Sequence, residues 1–143
     1  MKPRQTVSGK RLSRWASSLA CVLACLWTTE GYRVCHADDG IEFFETKIRP
    51  VLIEYCYKCH SAESQELRGE LRLDLKAGWQ LGGESGVPSI VPGNADESPL
   101  IRALRHDDDA SAMPPSQPRL PDAIIEDFIA WVQMGASDPR GGE

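Results

Sequence analysis

The sequence predicts a mostly α-helical domain with one short β-hairpin-like pairing. Three observations predict it. Apolar residues recur at spacings of three and four over 38–54 and again over 121–134, the mark of helices with one buried face. A shorter stretch, "SPLIRALR", carries the chemistry of a helix start. Only one segment, "GELRLD" (69–74), alternates apolar and polar as a strand does.

The elements follow in order. Residues 1–37 read as a secretory signal. Lys2, Arg4, Lys10, Arg11 and Arg14 form a basic start, and "WASSLACVLACLW" (15–27) is an uncharged apolar run. That run is shorter than the roughly 20 residues a membrane-spanning helix needs. Cleavage is expected near Ala37–Asp38, which leaves 38–143 as one domain with no membrane span. An uncleaved anchor is the competing reading, and "VLAC" offers lipidation at Cys25 as a third. No twin arginine is present, which favours the general export route.

The first helix of the exported part carries Ile41, Phe44, Ile48, Val51 and Tyr55 on one face. Pro50 lacks an amide donor and crowds the preceding turn, so a kink or a junction of two helices is expected near Arg49. The strand at 69–74 is expected to pair with the extended stretch 89–91. Between them, Asp74 is placed to cap a helix over 75–81 that stops at Gly82-Gly83. Ser98 and Pro99 start the next helix, whose inner face is Leu100, Ile101 and Leu104. Arg102 and Arg105 sit near its C-terminal, negative end. A polar, proline-rich loop spans 107–121. The last helix, about 121–134, buries Ile124, Phe128 and Val132 with Ile125 and Ile129 beside them, and Gly135 ends it.

Charge and cysteine content narrow the function. The whole chain has 16 basic and 21 acidic side chains. Residues 1–37 hold six of the basic ones and one acidic, so 38–143 carries a net charge of −10. Such a surface repels nucleic acid and anionic membranes. Three of the five cysteines fall in the signal segment. The exported part keeps only Cys56 and Cys59, so there is no disulfide framework to build.

Those two cysteines stand in "YCYKCHS", with His60 directly after the second. Cys-x-x-Cys-His is the attachment pattern of c-type haem. Two thiols about one helical turn apart can each join one vinyl group of the same porphyrin. The next residue then offers its imidazole to the iron. The rivals each lack a part. Structural zinc needs four ligands, and the exported part has only Cys56, Cys59, His60 and His106 to offer. A redox dithiol needs a strand–helix setting that is missing here. A plain disulfide leaves His60 unexplained.

A second axial ligand is sought downstream. Met113 in "AMPP" is a soft thioether stiffened by Pro114 and Pro115, and His/Met ligation is a known haem arrangement. Its apolar gap-filling alternative suits Met134 better, because Met134 lies on the last helix. His106 is the competitor. Its plainer reading is a solvated residue at a helix end beside Asp107, Asp108 and Asp109. Arg68, Arg72 and Trp79 are candidates for haem propionates, against a plainer reading as a solvated strand face and a core tryptophan. The acid run 107–109 lacks the alternating spacing of a calcium loop.

Taken together, the chain resembles the planctomycete-type cytochrome c domain, a branch of class I-like c-type cytochromes. The likeness rests on "FFETKIRPVLIEYCYKCHS", "LRGELRLD", "LGGESGVPSIVPGNADESPLIRAL", "MPP" and "FIAWVQMGA" in this order. The resemblance implies a cytochrome c-like helical fold, with N- and C-terminal helices crossing near a covalently bound haem. It implies haem c on Cys56 and Cys59, His60 as proximal ligand and Met113 as distal ligand. In many relatives the domain opens a longer protein.

The resulting expectation is a monohaem electron carrier, not an enzyme, because no catalytic constellation is found. It would be exported, periplasmic, and partnered by redox proteins outside the cytoplasm. A haem-based sensor, or the N-terminal module of a larger planctomycete-type architecture, is the alternative.

Overall fold

The structure, a computed structural model, describes residues 37–108 and 110–141. The candidate signal segment up to residue 36, Cys25 included, lies outside them. Among the described residues the secondary structure is helical and no strand forms.

Residues 37–56 stay helical, but not uniformly. Helix α1 (Ala37–Phe43) leads into a π turn (Phe44–Ile48), then α2 (Arg49–Val51), then a second π turn (Leu52–Cys56). Asp38 and Asp39 in the first turn suit the positive end of the helix. The disturbance expected near Arg49 takes the form of the first π turn. There the Arg49 amide donates to the Phe44 carbonyl, five residues back. The wider turn makes room for the Pro50 ring, which would crowd a carbonyl in a regular helix.

These wide turns also change which residues are buried. Phe44, Ile48 and Leu52 are core, while Ile41 is exposed and Val51 and Tyr55 are half-buried. In a regular helix, steps of four drift about 40° each around the axis, because each residue turns about 100°. Five-residue hydrogen-bonded turns offset that drift. The row 44–48–52 therefore stays on one side, and the next step of four is Cys56. Leu52 is missing from the face read off α-helical spacing for this reason.

The expected pairing of 69–74 with 89–91 does not form. Residues 68–70 make a 3-10 turn, and Leu71 to Leu73 lie along the cysteine-containing loop instead. The Leu73 amide donates to the His60 carbonyl at 2.8 Å. The 89–91 stretch is held elsewhere: Ser89 N–H bonds to Trp79 O, and Val91 N–H to Ser98 Oγ. Each segment has its backbone partners taken by loops nearer in space.

Helix α3 (Lys76–Leu81) starts without a side-chain cap. Asp74, expected as that cap, instead accepts from Arg72 and from the Ala62 amide. Gly82 ends α3 in the left-handed conformation with φ 79°. A Cβ there would lie 1.7 Å from the Val87 carbonyl, so both angle and space require glycine. Helix α4 (Pro99–Arg105) begins at Pro99 as expected. Ser98, fully buried, uses its hydroxyl on the preceding loop, donating to Asn94 O at 2.8 Å. Helix α5 (Asp122–Gln133) packs on α4 and on the first π turn. Its Trp131 lies 5.5 Å from the Phe44 ring and meets Phe128 edge-on.

The C-terminal tail seals this core through one buried ion pair. Asp138 accepts from Arg140 at 2.6 and 2.8 Å and from Trp79 Nε1 at 3.0 Å. Arg140 also donates to Leu73 O and to the Tyr57 hydroxyl, and its guanidinium stacks 4.6 Å over the Phe44 ring. One arginine thus ties the tail to the N-terminal helical run, the cysteine-containing loop and the 71–73 segment.

Candidate cofactor site

The second π turn hands the chain directly to the site. Cys56 ends that turn, and the Cys59 and His60 amides both return to the Cys56 carbonyl, at 3.1 and 2.9 Å. This tight turn sets both thiols and the imidazole along one wall of a cavity of about 470 Å³. That volume is in the range of small-molecule and cofactor sites, about 300–1,000 Å³. Leu71 and Leu73 add apolar lining from the segment behind the loop, Leu100, Ala103 and Leu104 add it from α4, and Ser89 lines the same region. Met113, Pro114 and Pro115 line it from the proline-rich loop.

His60 is anchored through one ring nitrogen. It is 8% exposed, and its Nδ1 meets the Leu71 carbonyl at 3.1 Å. A carbonyl only accepts, so Nδ1 carries the proton and Nε2 keeps a free lone pair. Nε2 has no hydrogen-bond partner among the described residues. This backbone-anchored arrangement is how metal-binding histidines are usually oriented.

Cys56 and Cys59 are both free thiols, each half-buried. Burial, and then the neighbouring Cys59, push the Cys56 thiol up to about 12. It therefore stays S–H at neutral pH, unlike the low-pKa thiolate of a redox dithiol. Among the described residues, no three His, Cys, Asp or Glu side chains gather to hold a bare metal ion. The four-ligand zinc reading of Cys56, Cys59, His60 and His106 has no geometric support. Two unbonded thiols, a lone pair on an anchored imidazole and a mostly apolar cavity do fit a covalently held haem.

Met113 lines the cavity, half-buried; His106 does not line it. The reading of His106 as a solvated helix-end residue also needs correction. It is half-buried, and its Nε2 meets the Met113 carbonyl at 3.1 Å. The propionate candidates fall outside the site. Arg68 is exposed, Arg72 is engaged by Asp74, and Trp79 is core with its N–H on Asp138. Of the acidic run, Asp107 is half-buried and Asp108 exposed, while Asp109 lies outside the described residues.

Sequence reasoning missed two features. Tyr55 and Arg102 line the cavity, although they read as a helix face and a helix-end charge. The Asp138–Arg140 pair behind Tyr57 went unread. The one available signal was a tryptophan at 79 whose indole N–H, once buried, requires an acceptor.

Residues 56–117 match the family model described as Planctomycete cytochrome C. The matched segment begins at Cys56 and runs past Met113, so it contains every candidate ligand. No curated protein and no solved structure matches the chain.

Proposed function

We propose, with the premise that this chain carries a planctomycete-type cytochrome c domain, that it binds one haem c and passes electrons outside the cytoplasm. The observation that supports this best is the single cavity that gathers Cys56, Cys59, His60 and Met113. In this reading Cys56 and Cys59 would hold haem through thioether bonds, and His60 Nε2 and Met113 Sδ would be the ligands offered to its iron. The bound group supplies one-electron oxidation and reduction at iron.

The chain's own residues do the rest. The Leu71 carbonyl fixes the His60 tautomer and keeps the ring from turning. Leu71, Leu73, Leu100 and Leu104 line the cavity and would keep water from the bound group. Met113, which lines the same cavity, would offer its thioether to the bound iron, and that would favour electron passage over ligand binding. No helix among the described residues is long and apolar enough to cross a membrane. Export follows from the basic and apolar pattern of residues 1–37, with redox proteins outside the cytoplasm as partners.

The test is expression with a haem-attachment system, followed by the pyridine spectrum of denatured protein. A covalent haem c signal at one haem per chain is expected, lost in the Cys56→Ala/Cys59→Ala variant. Its absence from the native chain would sink the proposal. Immediate carbon monoxide binding by the ferrous protein would overturn the carrier role and leave the haem in place. Mass spectrometry of the exported protein should find a chain beginning near Asp38.

A further inference from the structure

The Met113 backbone is held at both ends by the end of α4. Its N–H donates to the Ala103 carbonyl at 3.0 Å, and its carbonyl accepts from His106 Nε2 at 3.1 Å. The His106 N–H returns to the same Ala103 carbonyl at 3.2 Å. These three bonds close a ring through Ala103, Met113 and His106. Because a carbonyl only accepts, Nε2 carries the proton.

We propose that His106 is a positioning residue for the distal ligand: its imidazole holds the Met113 carbonyl and so controls how readily the thioether leaves the iron. This rests on the reading of Met113 as that ligand. Two further observations carry it.

The first is what else steadies the loop. Ser111 and Ala112, just before Met113, are exposed, so apolar anchoring beside it comes only from the buried Pro114 that follows. Helix α4 is anchored, with Ile101 fully buried and Leu104 2% exposed. The ring of bonds ties the Met113 backbone to that anchored helix on the side where its exposed neighbours give no packing.

The second is the backbone of His106, with φ 61° and ψ 42°, the left-handed cap of α4. Glycine is the usual residue at such a cap because other residues are strained there. The cap's own bonds use only backbone atoms, which glycine supplies equally well. What glycine lacks is the imidazole that reaches Met113.

The test uses the haem-loaded full chain and three variants. His106→Gly relieves the left-handed strain and removes the bond. His106→Asn tolerates the left-handed backbone, but its amide is too short to occupy the Nε2 position. His106→Gln places an amide N–H near that position. The readout is the rate at which carbon monoxide replaces the thioether on ferrous protein, with the red sulfur–iron absorption of ferric protein as a second measure. A neutral hydrogen bond of typical strength corresponds to roughly a fivefold change. His106→Gly and His106→Asn should speed carbon monoxide entry by about that factor, with haem content unchanged. His106→Gln should stay within about twofold of the native rate.

A native rate in both His106→Gly and His106→Asn would overturn the inference. So would a rise in all three that follows their loss of thermal stability, since that marks a merely structural role. Met113→Ala separates the two levels. If it opens the iron while His106→Gly does not, only the role of His106 falls. If Met113→Ala changes neither rate nor absorption, the ligand assignment falls and the role of His106 falls with it.

Discussion

Replacing Arg140 by alanine tests what holds this small domain together. The Arg140 side chain is 11% exposed and that of Asp138 is 0% exposed. Removing the arginine leaves a buried carboxylate with only the Trp79 indole and the residue-140 amide as donors. Breaking a buried pair from one side costs about 3–5 kcal/mol, mostly the penalty of the stranded charge. Losing the stack on Phe44 adds about 0.5–1 kcal/mol. Against a total stability of about 5–15 kcal/mol, this is a large loss. Urea unfolding of the purified protein measures it as a lower midpoint at unchanged slope. The pH dependence identifies the cause. Burial tends to raise the pKa of Asp138, but the donors from Arg140, Trp79 and the backbone outweigh it and hold the group below 3.8. The pair's stabilisation is therefore present at neutral pH and lost as pH falls through that lowered value. In Arg140→Ala, burial remains while the guanidinium bonds are gone, so the carboxylate protonates at higher pH and the variant is relieved there. The stability gap should narrow as pH falls from neutral through the ordinary carboxylate range. A gap under about 1 kcal/mol, or one that stays constant over that range, would refute the reasoning.

The other predictions concern the site and its supports. Either single variant, Cys56→Ala or Cys59→Ala, should keep haem on one thioether bond, and the shifted pyridine spectrum reports it. Met113→Ala should retain covalent haem and lower the reduction potential, because the lost sulfur favours ferrous iron; an unchanged potential in redox titration counts against it. Gly82→Ala should lose about 2–3 kcal/mol of stability, from a Cβ driven into the Val87 carbonyl at a left-handed φ. Thermal melts at matched haem content measure this, and a native melting point would show that the 82–87 turn can open.

Much of the site was readable in advance because its signals are local. Two thiols and an imidazole within five residues specify a chemistry by spacing alone, and the structure sets them on one cavity wall. The α5 face, the Pro99 start of α4 and the Gly82 stop of α3 are likewise set by residues within a turn of each other. Met113 lines the cavity, but Met134, read as an apolar gap filler, is 42% exposed just past the end of α5 and fills no gap.

What stayed hidden depends on groups far apart in the chain. The 69–74 segment alternates like a strand, yet its carbonyls and amides meet the His60 loop, a competition that periodicity does not register. Asp74 had the right offset for a cap, but Arg72 and the Ala62 amide claimed its oxygens. Leu52 joined the core only because π turns around Pro50 reset the helical phase. His106 read as solvated beside three aspartates, and its imidazole turned instead to a carbonyl seven residues on. Arg140 reaches Tyr57 across 83 residues, and no local pattern marks that contact. Covalent neighbours alone set which thiols, imidazole and thioether stand as candidate ligands and which faces are apolar. The tertiary structure decided which polar group satisfies which, because a buried donor or acceptor takes the nearest partner in space.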